Sequence, residues 1–193
     1  YFKKQILEVP EALHKDEGVR EETTKEILSQ LKPAFKPDGV ITAGNSSQIS
    51  DGAAALLLVS EDILNKFNLE PIAKIKSMAV VGTDPVLMLS GPIPATRKAL
   101  DQAKLKPEDI NLAEINEAFS SVVGAWRKEF PEINYENVNA NGGSIAIGHP
   151  LGATGARLMT NLIHEMKRNK LKYGLQAICE GGGTANATIV ELV

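Results

Sequence analysis

The feature that most constrains how this chain folds is the alternation of strand-like and helix-like stretches through its second half. Apolar runs predict strands over residues 73–82 and 110–116, and each is followed by a helix-periodic stretch, over 92–105 and 117–130. A glycine-rich loop then leads into a long helical stretch, and two further apolar runs close the chain as a pair of adjacent strands. This order predicts an α/β fold with a layered α-β-α architecture.

The first 70 residues have a less regular pattern. Residues 19–31 space their apolar side chains as an amphipathic helix does, before prolines and a glycine interrupt the pattern. Residues 39–52 predict a short strand that leads into a polar loop, and the run AAALLLVS (residues 53–60) predicts a fully buried strand. Ser60 is expected to cap the helix that follows.

The composition argues against several classes of function. A net charge of −3 with 23% charged residues is unlike a surface that binds nucleic acid or an anionic membrane. No apolar run approaches the length of a membrane span, and neither HExxH nor paired cysteines predict a metal site. A single cysteine permits no intrachain disulfide, so we expect a cytoplasmic protein, with an organellar matrix as the alternative.

Three stretches place reactive side chains beside turns. In the first, EINEAF (residues 114–119), Asn116 is predicted to stand where a strand ends and a helix begins. Asn116 either caps that helix, or it uses its amide to hold a water or ligand at the sheet edge where α/β proteins bind ligands.

The second stretch, NGGSIAIGHPLGATGAR (residues 141–157), contains five glycines that free its backbone for tight turns. It lacks both the ending of a Walker loop and the spacing of a dinucleotide-binding fingerprint. His149 precedes Pro150, which favours an extended backbone and presents the imidazole ahead of a helix. The histidine is either a structural loop residue, or a group that accepts a nucleophile's proton and donates to an oxyanion.

The third stretch is CEGGG, in which Cys179 is predicted to end a strand and the three glycines to turn the chain. Backbone N–H groups in such a turn can point at a substrate carbonyl and form an oxyanion hole. The cysteine is therefore either an inert buried residue, or an acid/base whose pKa a nearby cation or dipole lowers.

Taken together, these stretches resemble the thiolase family. TAGNSSQISDGAAALLLVSE, GPIPATRKAL, EINEAF, NGGSIAIGHPLGATGAR and CEGGG occur in the order and spacing of a thiolase's C-terminal half, and the resemblance covers essentially the whole chain. It implies a thiolase-like fold and reversible Claisen chemistry, in which CoA cleaves a 3-ketoacyl-CoA or two acyl-CoA molecules condense. Coenzyme A is then a substrate, and no further cofactor is implied.

The resemblance also implies roles for individual residues. His149 would activate a nucleophilic cysteine and, with a water held by Asn116, stabilise a thioester oxygen. Cys179 would move a proton at the α-carbon of the acetyl group, and the Gly181 N–H would belong to a second oxyanion hole. The remaining residues would contact CoA, its pantetheine arm or the acyl chain: Ser47, Met88, Ala118, Phe119, Phe35 and Arg20.

The resemblance further implies a missing half. A thiolase carries its nucleophilic cysteine in the N-terminal half, whereas Cys179 is the only cysteine of this chain. We expect the end of the loop domain at residues 1–38, the last strand and helix of the N-terminal domain at 39–69, and the C-terminal domain at 70–193. The chain alone is expected to be inactive, with the N-terminal half as its partner and a homo-oligomer as the complete enzyme.

Two other functions stay open at the level of sequence. An acyl-CoA-binding or partner-binding module with the same fold would need no chemistry, although it would have no reason to keep Asn116, His149 and Cys179 together. A ketoacyl synthase relative would carry two histidines at these positions, where this chain has one.

Two departures from the family pattern surround the cysteine. Glu180 stands where many thiolases have an apolar residue, and we expect it to point outward because side chains alternate along a strand. GTANAT replaces the usual glycine-rich run after the cysteine, which leaves the acyl-chain preference open.

Overall fold

The computed structural model describes residues 2–193, and a four-stranded mixed sheet organises the second half of the chain. β4 pairs antiparallel with both β1 and β3, whereas β3 and β2 run parallel. The spatial order is β1-β4-β3-β2, so the last two strands form the adjacent pair that the sequence predicts. The strands are β1 (Ala73–Gly82), β2 (Leu112–Ile115), β3 (Tyr173–Cys179) and β4 (Thr184–Leu192).

Six α-helices accompany these strands in the described residues. The three longest confirm the helices that the sequence predicts for the second half: α3 begins with two prolines, α4 follows β2, and α6 follows the glycine-rich loop. The helices are α1 (Lys25–Ser29), α2 (Glu61–Phe67), α3 (Pro92–Ala103), α4 (Ser120–Glu129), α5 (Gly143–Ile147) and α6 (Thr154–Asn169).

α3 and α4 form the helical layer on one face of the sheet. The sheet and the helices meet through small buried side chains of one core cluster, among them Ala79 and Ala187 on the strands and Ala95 on α3. Trp126 of α4 is fully buried in this core, and its indole N–H donates to the hydroxyl of Thr96 at 2.9 Å. The polar end of the largest core side chain is therefore satisfied inside the protein.

α6 forms the layer on the opposite face. Leu162 and Met166 of this helix are fully buried and share a core cluster with Leu112 of β2 and Val190 of β4. The sheet thus lies between helices on both faces, which confirms the layered α-β-α fold. In residues 2–193, no helix combines the length and apolar character that crossing a membrane requires.

The buried strand predicted for residues 53–60 is wrong for this structure. These residues form no strand, and the side chains of Leu57 and Leu58 are 83% and 67% exposed. A strand needs backbone partners along its edges, and none of the four strands of the described sheet pairs with this run. Ser60 does cap α2 as predicted, because its hydroxyl accepts a hydrogen bond from the Ile63 N–H.

Of the other two early predictions, the helix is met in part and the strand does not form. The helix expected over residues 19–31 is limited to the short α1, which Thr24 caps by accepting from the Ile27 N–H. The strand expected within residues 39–52 is replaced by a 3₁₀ turn, Ala43–Asn45, with Thr42 at its N-cap. Local capping groups decide the conformation here, because among residues 2–193 this segment forms only isolated bridges, at Ser46 and Ile49.

Candidate active site

The carboxyl ends of the parallel strands β2 and β3 bring two predicted site residues to one edge of the sheet. Asn116 follows β2 directly, and its N–H donates to the carbonyl of Ala177 on β3 at 2.9 Å. Cys179 is the last residue of β3, and both side chains are buried. The alternative that Asn116 caps a helix is wrong, because α4 begins at Ser120 and its N-cap is Phe119.

The side-chain amide of Asn116 connects the imidazole and the thiol. Its Oδ1 accepts a hydrogen bond from the Ser144 hydroxyl at 2.7 Å, and its Nδ2 lies 3.4 Å from Nε2 of His149. The same side chain lowers the pKa of the Cys179 thiol at the end of the neighbouring strand. Three residues that are distant in the sequence therefore meet at one buried amide group.

The hydrogen bonds around His149 define which ring nitrogen carries the proton. Because Nε2 faces the N–H donor of Asn116, it is the acceptor nitrogen of a neutral imidazole. Nδ1 then carries the proton and donates to the Thr154 hydroxyl at 2.6 Å, while that hydroxyl donates to the Pro150 carbonyl at 2.9 Å. The ring thus presents an unprotonated nitrogen toward Asn116.

A tight turn holds His149 beside the segment 48–50. The His149 N–H donates to the Gln48 carbonyl at 2.9 Å, and Ile49 forms an isolated parallel bridge with His149. Gly148 has φ +84°, and a Cβ added there would lie 2.1 Å from the hydroxyl oxygen of Ser50. Only glycine fits this position, both for its backbone conformation and for the closeness of the neighbouring segment.

Replacing Gly148 by alanine is therefore expected to lower the free energy of unfolding by about 2–4 kcal/mol, from the unfavourable φ and the clash with Ser50 together. Urea denaturation of the chain followed by circular dichroism measures this loss. Gly124→Ala is the matched control, because Gly124 lies in α4 with no neighbour within 4 Å of its added Cβ and should become slightly more stable. An equal response of the two variants would contradict the prediction.

The environment shifts the acidity of both reactive groups. Burial lowers the pKa of His149, and the positive charge of Arg157 lowers it further. Burial raises the pKa of the Cys179 thiol; hydrogen bonds from its own backbone and from Asn116 lower it, and the charge of Glu180 raises it. At neutral pH the thiol therefore holds its proton while the imidazole is neutral, so the site contains one proton donor and one proton acceptor.

Glu180, the residue directly after β3, points away from this pair, as the sequence predicts. Its side chain is exposed, and its carboxylate accepts hydrogen bonds from the Thr184 hydroxyl at 2.9 Å and from the Asn186 amide at 2.6 Å. These bonds hold the carboxylate toward β4, so its effect on the pKa of Cys179 is the smallest of the four causes.

The glycine turn after Cys179 leaves backbone donors open. The loop before α3 anchors the turn, because the N–H and the hydroxyl of Thr83 both donate to the Gly183 carbonyl, at 2.6 and 3.1 Å. Within residues 2–193, the N–H groups of Gly181 and Gly182 donate to no protein acceptor, and both residues are exposed. Two backbone donors thus lie two and three residues after the thiol, without a competing partner in this part of the chain.

Four of the six residues predicted to contact CoA lie together on the other side of segment 46–50. Both the N–H and the hydroxyl of Ser47 donate to the Ala118 carbonyl, at 3.2 and 3.4 Å, and Ser46 bridges to Phe119. The ring of Phe35 meets the ring of Phe119 edge to face, with centroids 5.4 Å apart.

The other two, Met88 and Arg20, are not joined to this group by any hydrogen bond or ring contact within residues 2–193. Met88 is half-buried in the loop before α3, the same loop that Thr83 attaches to the glycine turn. Arg20 lies in the exposed stretch ahead of α1, where its carbonyl accepts from Thr23.

Sequence reasoning missed three residues that support the site. Ser144 orients Asn116, Thr154 binds Nδ1 of His149, and Arg157 donates to backbone carbonyls next to His149. All three lie inside the glycine-rich motif that the sequence singles out, but their partners lie across a turn or on another strand. The motif predicts their neighbourhood, and only the fold identifies what they bind.

The effect of Asn116 on the pKa of Cys179 predicts how the thiol will react. Asn116→Leu keeps the buried volume and removes the amide that lowers the thiol pKa, so the midpoint of the pH–rate profile for alkylation by iodoacetamide is expected to move to higher pH. Because Cys179 is the only cysteine, alkylation reports on this one residue. Asn134→Leu, at an exposed site, is the control, and an unshifted midpoint in Asn116→Leu would show that the amide does not act on the thiol.

Comparison with known proteins identifies related chains. Residues 69–192 match the family model described as thiolase, C-terminal domain, and residues 1–62 match thiolase, N-terminal domain. A steroid 3-ketoacyl-CoA thiolase of Mycobacterium tuberculosis is 52% identical over 176 residues, which cover 91% of this chain and 42% of that protein.

Solved structures agree with these matches. The acetyl-CoA acetyltransferase of Bacillus anthracis superposes with a TM-score of 0.89 at 45% identity, covering 93% of this chain and 45% of its own. Human mitochondrial 3-ketoacyl-CoA thiolase in complex with CoA superposes with a TM-score of 0.85 at 41% identity, covering 92% of this chain and 45% of its own. The chain therefore spans less than half the length of each of these relatives.

Proposed function

This chain belongs to the thiolase family, and from that premise we propose that it supplies the C-terminal catalytic part of an acyltransferase that interconverts 3-ketoacyl-CoA and acyl-CoA. The reaction is a reversible Claisen condensation, with CoA as a substrate. The nucleophilic cysteine comes from an N-terminal thiolase half, because the only cysteine here is Cys179. The isolated chain is then inactive, and activity requires that half.

The observation that carries this proposal is that Asn116 and Cys179 lie at the carboxyl ends of the paired strands β2 and β3, with Nε2 of His149 3.4 Å from the Asn116 amide. A bare binding module would not need a neutral imidazole and a protonated thiol at one point. Removing a proton next to a thioester carbonyl develops negative charge on the carbonyl oxygen, and a donor fixed in advance there contributes roughly 3–4 kcal/mol to the transition state. The site offers such donors together with the groups that exchange the proton.

The roles follow from the protonation states. The unprotonated Nε2 of His149 accepts the proton of the nucleophilic cysteine, and the resulting imidazolium, with a water held by Asn116, donates to the thioester oxygen. Cys179 gives and takes the proton at the α-carbon, and its raised pKa favours the thiol form that gives it. The free N–H of Gly181 donates to the second carbonyl oxygen, where the enolate forms.

The CoA substrate lies, in this proposal, along the group around Phe119. Ser47, Ala118, Phe119 and Phe35 are already in mutual contact and provide a polar hydroxyl beside apolar surface, which suits a pantetheine arm. Met88 extends this lining from the loop before α3, and Arg20 contacts the nucleotide end of CoA. The mutual contacts of the four residues around Phe119 support their assignments, whereas the assignments of Met88 and Arg20 rest on the family resemblance.

The partner half also accounts for residues that are exposed in this chain. The apolar run 53–60 has no strand partner among the described residues, and we assign it to the sheet of the N-terminal domain. The proposed division is therefore the end of the loop domain at 1–38, the last strand and helix of the N-terminal domain at 39–69, and the C-terminal domain at 70–193. The complete enzyme is proposed to be a cytoplasmic homo-oligomer.

Complementation tests the proposal. The chain is mixed with an N-terminal thiolase half that carries the nucleophilic cysteine, and cleavage of acetoacetyl-CoA by CoA is followed by the loss of its absorbance. Activity is expected only in the mixture, which is called the assembled enzyme below. Activity of the chain alone would contradict the assignment of the nucleophile to the other half.

A second measurement separates catalysis from binding. If the mixture binds acetyl-CoA in calorimetry but cleaves nothing, with N-terminal halves from several thiolases, the chain is an acyl-CoA-binding module and the catalytic proposal fails. A His149→Ala variant that abolishes cleavage while keeping the acetyl-CoA affinity would support the catalytic role.

A further inference from the structure

The guanidinium group of Arg157 binds the backbone immediately ahead of His149. Arg157 lies in the first turn of α6, and its two terminal nitrogens donate to the carbonyls of Ile147, at 2.8 Å, and Gly148, at 2.5 Å. These carbonyls close α5 and open the turn that presents His149. One planar side chain thus ties the start of α6 to the end of α5 across the loop that carries the imidazole.

The surroundings of Arg157 are unusual for a group that only supports a loop. Its Nε atom is buried and has no hydrogen-bond partner among the described residues, and the same is true of Oε2 of Glu114. Glu114 lies on β2, two residues before Asn116, and its side chain is 1% exposed. The two groups attract each other, since each opposes the effect of burial on the pKa of the other.

We propose that Arg157 is a positioning residue for His149: its fork of N–H donors fixes the carbonyls of residues 147 and 148, and this fixes the direction of the imidazole toward Asn116. Glu114 is a buried carboxyl on β2 whose pKa the charge of the guanidinium lowers, against the larger effect of burial. Arg157 does not touch the reacting atoms in this arrangement and acts through the turn. Its importance for turnover rests on the proposed function, whereas its effect on the His149 turn does not.

The geometry separates this role from a purely electrostatic one. Arg157 also acts on His149 through its charge, and a lysine would keep that charge. A lysine ammonium is a single point donor, however, and it cannot reproduce the two parallel N–H groups that hold two successive carbonyls. Arg157→Lys therefore removes the fork and keeps the charge, while Arg157→Met removes both.

Hydrogen exchange at the His149 amide reads out the turn directly, because this N–H donates to the Gln48 carbonyl. In the 193-residue chain, both Arg157→Lys and Arg157→Met are expected to exchange this proton roughly tenfold faster than the unsubstituted chain. Core amides of β3 and β4 should keep their rates, which shows that the change is local. Arg127→Lys is the matched control, because that guanidinium lies over the ring of Tyr135, on the other side of the sheet from α6.

The outcomes decide between the two roles. Exchange at His149 that is unchanged in Arg157→Lys and faster only in Arg157→Met would overturn the proposal in favour of a charge effect. Unchanged exchange in both variants would overturn it altogether. In the assembled enzyme, Arg157→Lys should lower kcat with little change in KM. If the two Arg157 variants exchange the His149 amide faster but no assembled enzyme is active, the proposed function fails and the positioning role stands.

Discussion

Replacing Cys179 by serine is expected to lower the kcat of the assembled enzyme by roughly 10²- to 10⁴-fold, the usual contribution of a positioned acid/base. Serine keeps the size and the hydrogen-bonding capacity of the side chain at the end of β3, so the fold should be preserved. Its hydroxyl is far less acidic than a thiol, and it cannot exchange a proton with an α-carbon near neutral pH. Steady-state cleavage of acetoacetyl-CoA measures the loss.

Two further variants make this result specific. His164→Gln changes an exposed residue of α6 and should leave kcat unchanged. Cys179→Ala removes the donor altogether and should be at least as slow as the serine variant. A serine variant with full kcat, and with thermal unfolding like that of the unsubstituted chain, would show that Cys179 is not the acid/base.

Replacing Glu114 by glutamine is expected to stabilise the chain, by an amount that grows with pH. Burial raises the pKa of Glu114 to about 8, with the charges of Glu117 and Glu165 adding to the rise and that of Arg157 opposing it. Its ordinary value, 4.5, applies to the unfolded chain. Between these values the unfolded state releases the proton that the folded state retains, so the carboxyl costs stability that a neutral amide does not.

The sign and the pH window follow from these two pKa values. Below pH 4.5 the Glu114 carboxyl is protonated in both the folded and the unfolded state, so the variant is no more stable than the unsubstituted chain. The difference in the free energy of unfolding rises through neutral pH and levels off above pH 8, at about 5 kcal/mol. Urea denaturation of both chains at a series of pH values measures the difference. Glu108→Gln, at an exposed residue, is the control, and a Glu114→Gln effect that is independent of pH would contradict the prediction.

The elements that sequence predicts well are those whose burial is decided within this chain. All four residues of β2 are buried, and α3 has a proline start and an apolar face against the sheet. β1 forms as predicted, although only Ser77 and Ala79 of its residues are buried. Asn116 and Cys179 were located correctly at strand ends, because parallel strands place their carboxyl ends at one edge. Local pattern and simple topology were sufficient for these positions.

The run 53–60 shows where the same reasoning fails. Its alanines and leucines predict burial, but the run forms no strand and Leu57 and Leu58 are exposed. Composition reports what surroundings a segment requires, and it does not report whether the same chain provides them.

The supporting residues of the site were beyond sequence reasoning for a different reason. Ser144, Thr154 and Arg157 act through single hydrogen bonds to atoms that other elements place within about 3 Å. No periodicity or spacing encodes such a contact, because it depends on the angles of several turns at once. Glu114 was equally hidden, since an acidic residue in a strand ordinarily indicates a solvent-facing position.

The short segment 46–50 has a consequence for how this protein could be altered. On one side Ser46 and Ser47 attach to Phe119 and Ala118, and on the other Gln48 accepts the N–H of His149. In the proposed enzyme, the contacts with the pantetheine arm of the substrate and the direction of the imidazole are therefore set by the same few peptide units. Mutants selected at this segment for tighter substrate affinity will change turnover as well, so the two properties cannot be tuned one at a time here.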